Sequence, residues 1–178
     1  MAFKVLVIGY GSIGQRHVNI LNKINDIDHI SVLTAQTGLS HETIKSLEDI
    51  PALNPDYVVI ASPTAKHHAQ LKFLDDNLVC RKILVEKPLF DSAFDLVIKH
   101  NEVFVGYNLR FHPILEKIKE TVSNRKIWSI QVFCGSYLPD WRPGRDYRET
   151  SSASSASGGV LLDLSHELDY IQWLAGHL

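Results

Sequence analysis

The sequence predicts an α/β protein whose first part is a doubly wound parallel sheet, and two observations carry this prediction. Gly9, Gly11 and Gly14 form a G-x-G-x-x-G pattern directly after an apolar run of strand length, Phe3–Ile8. A segment with helical spacing follows at once. Further apolar runs then alternate with helical segments up to about residue 108, which is typical of parallel strands covered on both faces.

The elements of this first part are predicted in order along the chain. Short apolar runs predict five strands, at residues 3–8, 30–33, 57–61, 82–85 and 103–105. Apolar residues at spacings of three and four predict helices between them, around residues 13–24, 65–74 and 94–98. We therefore place a dinucleotide-binding domain at residues 1–108.

Beyond residue 108 the pattern changes to the beginning of an α+β domain, placed at residues 109–178. The pattern predicts a helix over residues 111–122, a long strand over 126–138, and a last helix over about 159–175 closed by Gly176. One strand and one helix do not complete a domain, because both edges of the strand stay unpaired. We therefore expect the chain to be a piece of a longer protein, with an incomplete open antiparallel sheet.

Composition and charge argue against several classes of protein. The chain has 178 residues, of which 45% are hydrophobic and 21% charged, with a net charge of −2, so nucleic acid and anionic membranes are not expected partners. Its apolar runs are all shorter than the roughly 20 residues that cross a bilayer. Cys80 and Cys134 lie in apolar runs and predict buried, reduced thiols, which suits a cytoplasmic location.

The glycine pattern predicts a turn that binds phosphate. Gly9 lets the chain turn, Gly11 leaves room for a diphosphate, and Gly14 lets helix and strand pack closely. The helix that begins at Ser12 and Ile13 offers free N–H groups and the positive end of its dipole to the anion. The alternative is a glycine turn without a ligand.

Candidate catalytic residues occur at two later places. Lys87 follows Glu86 at the carboxyl end of the fourth predicted strand, where open parallel sheets bind ligands and a lysine can bond a reacting oxygen. Asp163, His166 and Tyr170 are predicted on one side of the last helix, an arrangement that suits proton transfer. The alternatives are a solvated surface lysine and an amphipathic helix with a local acid–histidine pair.

The loop before the last helix concentrates arginine and aromatic side chains: Trp141, Arg142, Arg145, Tyr147 and Arg148. Arginine forks bind carboxylate or phosphate, and aromatic faces stack on sugars or bases. The loop predicts an anionic sugar as substrate, either a sugar acid or a nucleotide-linked sugar. The alternative is a solvated loop with incidental charges.

Four motifs occur in one order along the chain: the glycine pattern, Glu86-Lys87-Pro88, Tyr107-Asn108-x-Arg110-Phe111, and Gly158-Gly159-Val160-Leu161-Leu162-Asp163 with His166. This ordered set resembles the family of glucose-fructose oxidoreductase, inositol dehydrogenase and rhizopine-catabolism dehydrogenase (Gfo/Idh/MocA) over essentially the whole chain. Residues 62–68 also resemble the family's loop after the third strand, which lines the cofactor site.

The resemblance implies a Rossmann domain followed by a domain with a large open antiparallel sheet. It implies hydride transfer between NAD or NADP and a carbon of a sugar or cyclitol, in carbohydrate metabolism. Lys87 would be the catalytic lysine, and Asp163 and His166 the paired acid and base. A homo-oligomer is expected for the full-length protein, and no metal ion.

The glycine turn, the loop composition and the resemblance together give two sets of predicted binding residues. Contacts to the cofactor are assigned to Gly9, Gly11, Ser12, Ile13, Gly14, Thr34, Ser62, Pro63, Thr64, His67, His68, Glu86, Lys87 and Asn108. Contacts to the substrate are assigned to Arg110, Trp141, Arg142, Arg145, Tyr147 and Tyr170.

Two features depart from the family pattern. Many members place the histidine four residues after the aspartate, whereas here the interval is three. Residues 34–37 hold neither the acid that normally binds the NAD ribose nor an arginine for a 2′-phosphate, so NAD and NADP both stay open, with NADP tolerated.

Two alternative functions also stay open. One is a non-catalytic dinucleotide-binding protein or inactive fragment. The other is glycoside cleavage assisted by transient oxidation through the cofactor.

Overall fold

The computed structural model describes residues 2–135, 137–141, 144, 146–153 and 158–176, and the chain divides into two compact units, Met1–Gly106 and Tyr107–Leu178. The strands are β1 (Phe3–Ile8), β2 (Ile27–Leu33), β3 (Glu42–Ile44), β4 (Tyr57–Ile60), β5 (Lys82–Val85) and β6 (Glu102–Val105). The helices are α1 (Ser12–Leu21), α2 (Ile50–Leu53), α3 (His67–Asn77), α4 (Pro113–Val122), α5 (Val160–Asp163) and α6 (Ser165–Ala175).

The first unit is built on one six-stranded sheet in the order β3-β2-β1-β4-β5-β6. All five neighbouring pairs are parallel, and Val7 near the carboxyl end of β1 lies opposite Val32 of β2 and Val59 of β4. This is the strand order of the Rossmann fold, in which the chain reverses its direction of winding between β1 and β4. The predicted doubly wound parallel sheet is confirmed.

The core lies on both faces of this sheet, because successive side chains of a strand point to opposite faces. Leu6 and Ile8 of β1 belong to the buried cluster that α2 and α3 cover, and Val5 and Val7 belong to the cluster under α1. These four side chains are at most 2% exposed. Each contributes about 1.5–3 kcal/mol through burial, which fixes the carboxyl end of β1 as a rigid support.

The segment that leads to β6 differs from the prediction. The prediction of a helix over residues 94–98 is wrong, because this segment is irregular in the structure. Leu96 and Ile98 pack against the core while Val97 between them is 73% exposed, an alternation that suits extended chain and not a helix. The sequence also predicts neither β3 nor α2, which have three and four residues.

Asp75 of α3 anchors the end of this segment. Its side chain is 3% exposed and accepts hydrogen bonds from the backbone N–H groups of Lys99 (2.8 Å) and His100 (3.1 Å) and from the Asn101 amide (3.0 Å). Burial acts to raise the pKa of Asp75, but these hydrogen bonds outweigh it and hold the pKa below its ordinary value. The carboxylate therefore replaces the hydrogen bonds that a helix in this segment would have made.

Asp75→Asn should lower the free energy of unfolding by about 1–3 kcal/mol, because bonds to a buried charge are lost. Since the folded pKa is depressed, this stabilisation is present above the unfolded pKa of about 3.9 and is lost as the pH falls through the folded pKa. Urea unfolding of both proteins should show the full difference at about pH 7 and a shrinking one below about pH 4. The exposed neighbour Asp76, paired with Lys72 at 2.6 Å, is the control. Asp76→Asn should cost less than about 1 kcal/mol, and equal losses in both variants would contradict the anchoring role.

In the second unit, α6 contacts both α4 and the short turn before α4, and two cationic side chains bind it. Arg110 binds Asp169 of α6 through two N–H groups, at 2.8 and 2.5 Å, and the Asp169 side chain is 9% exposed. The Lys119 ammonium of α4 donates to the backbone oxygen of Trp173 and lies 5.3 Å from the centroid of its ring. Gly176, with φ of +81°, ends α6 as predicted.

The long strand predicted over residues 126–138 is wrong: its described residues, which leave out Ser136, form no strand. A strand needs a hydrogen-bonded partner, and the part of the second unit that the structure describes supplies none. Trp128 and Phe133 are accordingly 85% and 98% exposed. Cys80 and Cys134 are free thiols, but both are exposed, so the expectation of buried cysteines is also wrong.

The last predicted helix is interrupted. Helix α5 ends at Asp163 and α6 begins at Ser165, with Leu164 between them at φ −99° and ψ 29°. The expectation that Asp163 shares one helix with His166 and Tyr170 is therefore wrong. Among the residues that the structure describes, none of the helices is both long and apolar enough to cross a membrane.

Candidate active site

The glycine turn lies where the winding of the sheet reverses, between the carboxyl ends of β1 and β4. Gly9 has φ of +93°, and a Cβ atom there would lie 2.8 Å from the Ala61 carbonyl oxygen and from the Ser62 backbone. A Cβ atom at Gly14 would overlap the Gly9 carbonyl oxygen. Glycine is required at both positions because α1 and the loop after β4 approach the turn so closely.

Gly11 differs from the other two glycines, since a Cβ atom there would meet no chain atom within 4 Å. It is the N-cap of α1, and in the described chain no side chain caps this helix and no acid lies in its first turn. Gly11, Ser12 and Ile13 are exposed, so the start of α1 offers uncapped N–H groups and the positive end of the helix dipole at the surface. This arrangement fits the diphosphate of a dinucleotide.

Two buried side chains of α3, His67 and Gln70, bind the loop after β4. Ser62 donates its hydroxyl hydrogen to Gln70 (2.6 Å), and His67 Nε2 lies 2.9 Å from the Ser62 carbonyl oxygen. His67 Nδ1 lies 3.1 Å from the Leu89 carbonyl oxygen, in the loop after β5. The ring is 1% exposed and joins the two loops. Contact between His67 and the cofactor stays a prediction.

The other predicted residues of this loop lie at or near the surface. Pro63 is exposed and Thr64 half-buried. The ring of His68 stacks on Phe94 with centroids 4.1 Å apart and meets Phe90 edge-on at 5.4 Å. Contact between these residues and the cofactor stays a prediction.

Glu86 connects the glycine-turn helix to the turn that carries Lys87. Its Oε1 lies 2.6 Å from His17 Nε2 of α1, and its Oε2 accepts from the backbone N–H of Lys87 at 3.3 Å. Both the His17 and Glu86 side chains are 22% exposed. Gly106, directly after β6, leaves room for this carboxylate, since a Cβ atom there would lie 3.2 Å from Oε2. Half-buried Lys87 thus follows a fixed glutamate at the carboxyl edge of the sheet.

His17 and Gln70 also belong to this site, although none of the sequence motifs includes them. His17 falls within the apolar stripe of α1, where its position predicts packing, and Gln70 lies on the buried side of α3. A polar side chain in an apolar helical stripe is the one signal that could have indicated either. Thr34, predicted to bind the cofactor, follows β2 and accepts from the Gln36 N–H at 3.2 Å through its hydroxyl oxygen.

The remaining predicted residues lie in the second unit. Asn108 and Arg110 lie in a short turn before α4, and the Arg110 guanidinium already binds Asp169. His166 lies in the first turn of α6, with its ring meeting Tyr107 edge-on at 5.7 Å, while Asp163 ends α5. The structure therefore divides the predicted catalytic residues between its two units, with Lys87 in the first.

Two acidic groups of the second unit, the Tyr170 phenol and the Cys134 thiol, have raised pKa values. Burial, and then the nearby Glu167 carboxylate, raise the pKa of Tyr170. A hydrogen bond to the same carboxylate raises the pKa of the Cys134 thiol. The raised pKa values favour the protonated phenol and the protonated thiol.

The predicted substrate loop is described only in part. Trp141 is 40% exposed, and Tyr147 is half-buried, with the Arg148 guanidinium 5.6 Å from its ring centroid. Arg142 and Arg145 lie outside the described residues. In the described ranges, no three or more His, Cys, Asp or Glu side chains are grouped so that they could hold a metal ion.

The sheet order and the glycine turn at its switch point define a Rossmann-type nucleotide-binding protein. Comparison with known proteins then identifies the family. Residues 3–104 match the family model described as "Oxidoreductase family, NAD-binding Rossmann fold". The chain belongs to the Gfo/Idh/MocA oxidoreductase family, and the resemblance drawn from its motifs is confirmed.

Individual relatives agree with this assignment. An uncharacterized oxidoreductase, YrbE, of Bacillus subtilis is 30% identical over 96% of this chain and 53% of its own length. Myo-inositol 2-dehydrogenase of Thermotoga maritima is 26% identical over 97% of this chain and 55% of its own length. The chain thus spans about half the length of the curated relatives it matches.

A solved structure shares the fold. The WlbA dehydrogenase from Bordetella pertussis, in complex with NADH and UDP-GlcNAcA, has a TM-score of 0.74 and 18% sequence identity. The match covers 99% of this chain and 59% of that chain.

Proposed function

We propose that this chain carries the cofactor-binding part of an NAD(P)-dependent dehydrogenase. The reaction is hydride transfer between nicotinamide and a hydroxyl- or keto-bearing carbon of a sugar or cyclitol. One observation carries the proposal: the open, uncapped start of α1 at Gly11 and the turn bearing Lys87 are joined through the 2.6 Å contact of His17 and Glu86. A glycine turn without a ligand would need no such link to a lysine at the ligand-binding edge of the sheet.

The proposed roles divide between cofactor and protein. A bound dinucleotide supplies the hydride chemistry. We assign to Lys87 a hydrogen bond to the reacting oxygen, which stabilises negative charge there. His166 is assigned to accept the hydroxyl proton, since an imidazole exchanges protons near neutral pH. Asp163 is assigned to orient the imidazole, since a carboxylate stabilises its charged form.

The substrate is proposed to be a sugar or cyclitol derivative, including an anionic one. The names of the relatives support this class, since one is an inositol dehydrogenase and another was solved with UDP-GlcNAcA. Within the chain, the arginine and aromatic residues of the loop before α5 support a carboxylate or phosphate on the sugar. A cytoplasmic location and a homo-oligomeric full-length protein stay predictions.

The test is in two stages on the 178-residue chain. Titration with NADH and NADPH, followed by nicotinamide fluorescence, should show saturable binding to at least one of them. Oxidation of neutral polyols, sugar acids and nucleotide-linked sugar acids is then compared by the appearance of reduced cofactor. A folded chain that binds neither dinucleotide would refute the proposal. A preference for neutral polyols would refute only the anionic substrate, and cleavage of a glycoside without net cofactor reduction would point to the glycoside reaction.

A further inference from the structure

The loop after β2 lies beside the glycine turn and takes part in one hydrogen-bonded group. Gln36 donates its side-chain N–H to the carbonyl oxygen of Tyr10, inside the glycine turn, at 3.0 Å. The Thr34 N–H bonds to the carbonyl oxygen of Ile44, the last residue of β3. The loop is therefore fixed between the phosphate-binding turn and the carboxyl end of β3.

Lys45, the residue after β3, places its ammonium group against this loop. Its Nζ donates to the carbonyl oxygens of Thr34 (3.0 Å) and Gln36 (2.7 Å). An ammonium has three N–H donors, so these two bonds leave one for a ligand. The residue is exposed, and the ammonium is held without being buried.

The acids adjoining Lys45 in sequence are bound elsewhere. Glu42 accepts from Ser31 and lies 2.7 Å from His29, and these contacts lower its pKa. The carboxylate of Glu48 bonds the Ser46 hydroxyl, and that of Asp49 accepts from the Ser46 N–H at 3.2 Å. Residues 34–40 contain no acid. The charge that faces this loop from β3 is therefore positive.

In Rossmann folds, the residues that follow the second strand meet the adenosine ribose, where an acid binds the 2′-hydroxyl of NAD and a cation accommodates the 2′-phosphate of NADP. This chain has no acid at residues 34–40, and the cation comes from Lys45, the residue after the neighbouring strand β3. Resting on the proposed function, we infer that Lys45 forms a 2′-phosphate subsite and that the chain prefers NADP(H) to NAD(H). A lysine is suited to this as a point charge on phosphate.

The test is the pair of dissociation constants for NADPH and NADH, measured by nicotinamide fluorescence on the 178-residue chain. The wild type should bind NADPH about tenfold or more tightly than NADH, as expected for one bond to a charged group. Lys45→Gln keeps a donor for the loop carbonyls but removes the charge. This variant should bind NADPH about tenfold more weakly, while its dissociation constant for NADH should change less than about threefold.

Two further variants separate ligand binding from structure. Lys45→Arg should keep the preference, and Lys4→Gln, the same change at the amino end of β1, should leave both constants unaltered. Added salt should weaken the binding of NADPH more than the binding of NADH, and this measurement needs no variant.

The outcomes distinguish this inference from the function it rests on. Equal wild-type constants, or equal losses of both ligands in Lys45→Gln, would overturn the subsite while leaving dinucleotide binding in place. Failure to bind either dinucleotide would overturn the proposed function itself.

Discussion

Gly14→Ala should abolish dinucleotide binding and weaken the fold together. The added methyl group would overlap the Gly9 carbonyl oxygen, which is backbone and cannot move aside as a flexible side chain would. Either α1 shifts away from the turn or the turn itself opens. We expect a loss of about 1–3 kcal/mol in the free energy of unfolding, as for overpacked cores. Affinity for dinucleotide should fall at least about 100-fold, since the N–H groups of α1 no longer meet the diphosphate.

The matched control is Gly11→Ala, which separates the two effects. Gly11 has φ of −75°, which alanine adopts without strain, and its methyl group would meet no chain atom within 4 Å. Stability should stay within about 0.5 kcal/mol of the wild type. Binding should nevertheless fall, because the methyl group occupies the space left for the diphosphate. Thermal unfolding and nicotinamide fluorescence measure the two properties, and wild-type affinity in Gly11→Ala would contradict the proposed cradle.

Lys87→Met should abolish turnover while leaving dinucleotide binding nearly intact. If Lys87 bonds the reacting oxygen, its loss removes stabilisation of developing charge, and kcat should fall about 100-fold or more. The dissociation constant for dinucleotide should change less than about threefold, because the glycine turn does not depend on the ammonium group. Turnover is to be measured with whichever sugar or cyclitol the substrate comparison identifies.

The control for this variant is Lys82→Met, at the other end of the same strand. Lys82 begins β5 and is exposed, so it undergoes the same chemical change at the opposite edge of the sheet. It should retain wild-type kcat and affinity. Persistent turnover in Lys87→Met would remove the lysine from the proposed mechanism, whereas a parallel loss of cofactor binding would make its role structural.

The first unit was predictable because its signals are local and redundant. Apolar runs such as Phe3–Ile8 are buried on both faces, so their composition alone indicates parallel strands. The glycine pattern marked the switch point, where Gly9 and Gly14 are needed for close approach. Strand β3 carried no such signal, because three residues with one apolar side chain, Ile44, are too few for a period to show.

The wrong predictions share a physical cause, which is dependence on distant partners. Residues 94–98 have helical spacing, but the buried Asp75 carboxylate holds the end of the segment extended. Residues 126–138 alternate like a strand, yet alternation does not create a strand without a hydrogen-bonded neighbour. His67 was assigned to the cofactor from its place in a motif, and this contact stays a prediction; only the fold reveals that its ring is shared by two loops. The position of Lys45 beside the loop after β2 could not be predicted, because it depends on β3, which the sequence does not predict.

The interruption at Leu164 changes how residue intervals are compared among relatives of this chain. In an unbroken helix, an aspartate one position earlier would be rotated by about 100° around the axis. Here Asp163 ends α5, and His166 lies in the first turn of α6, which begins at Ser165, so the junction at Leu164 can absorb a gained or lost residue. An interval of three residues in place of four between the aspartate and the histidine then changes only the length of the connection between two helices. A homologue with the longer interval can present the same carboxylate and imidazole.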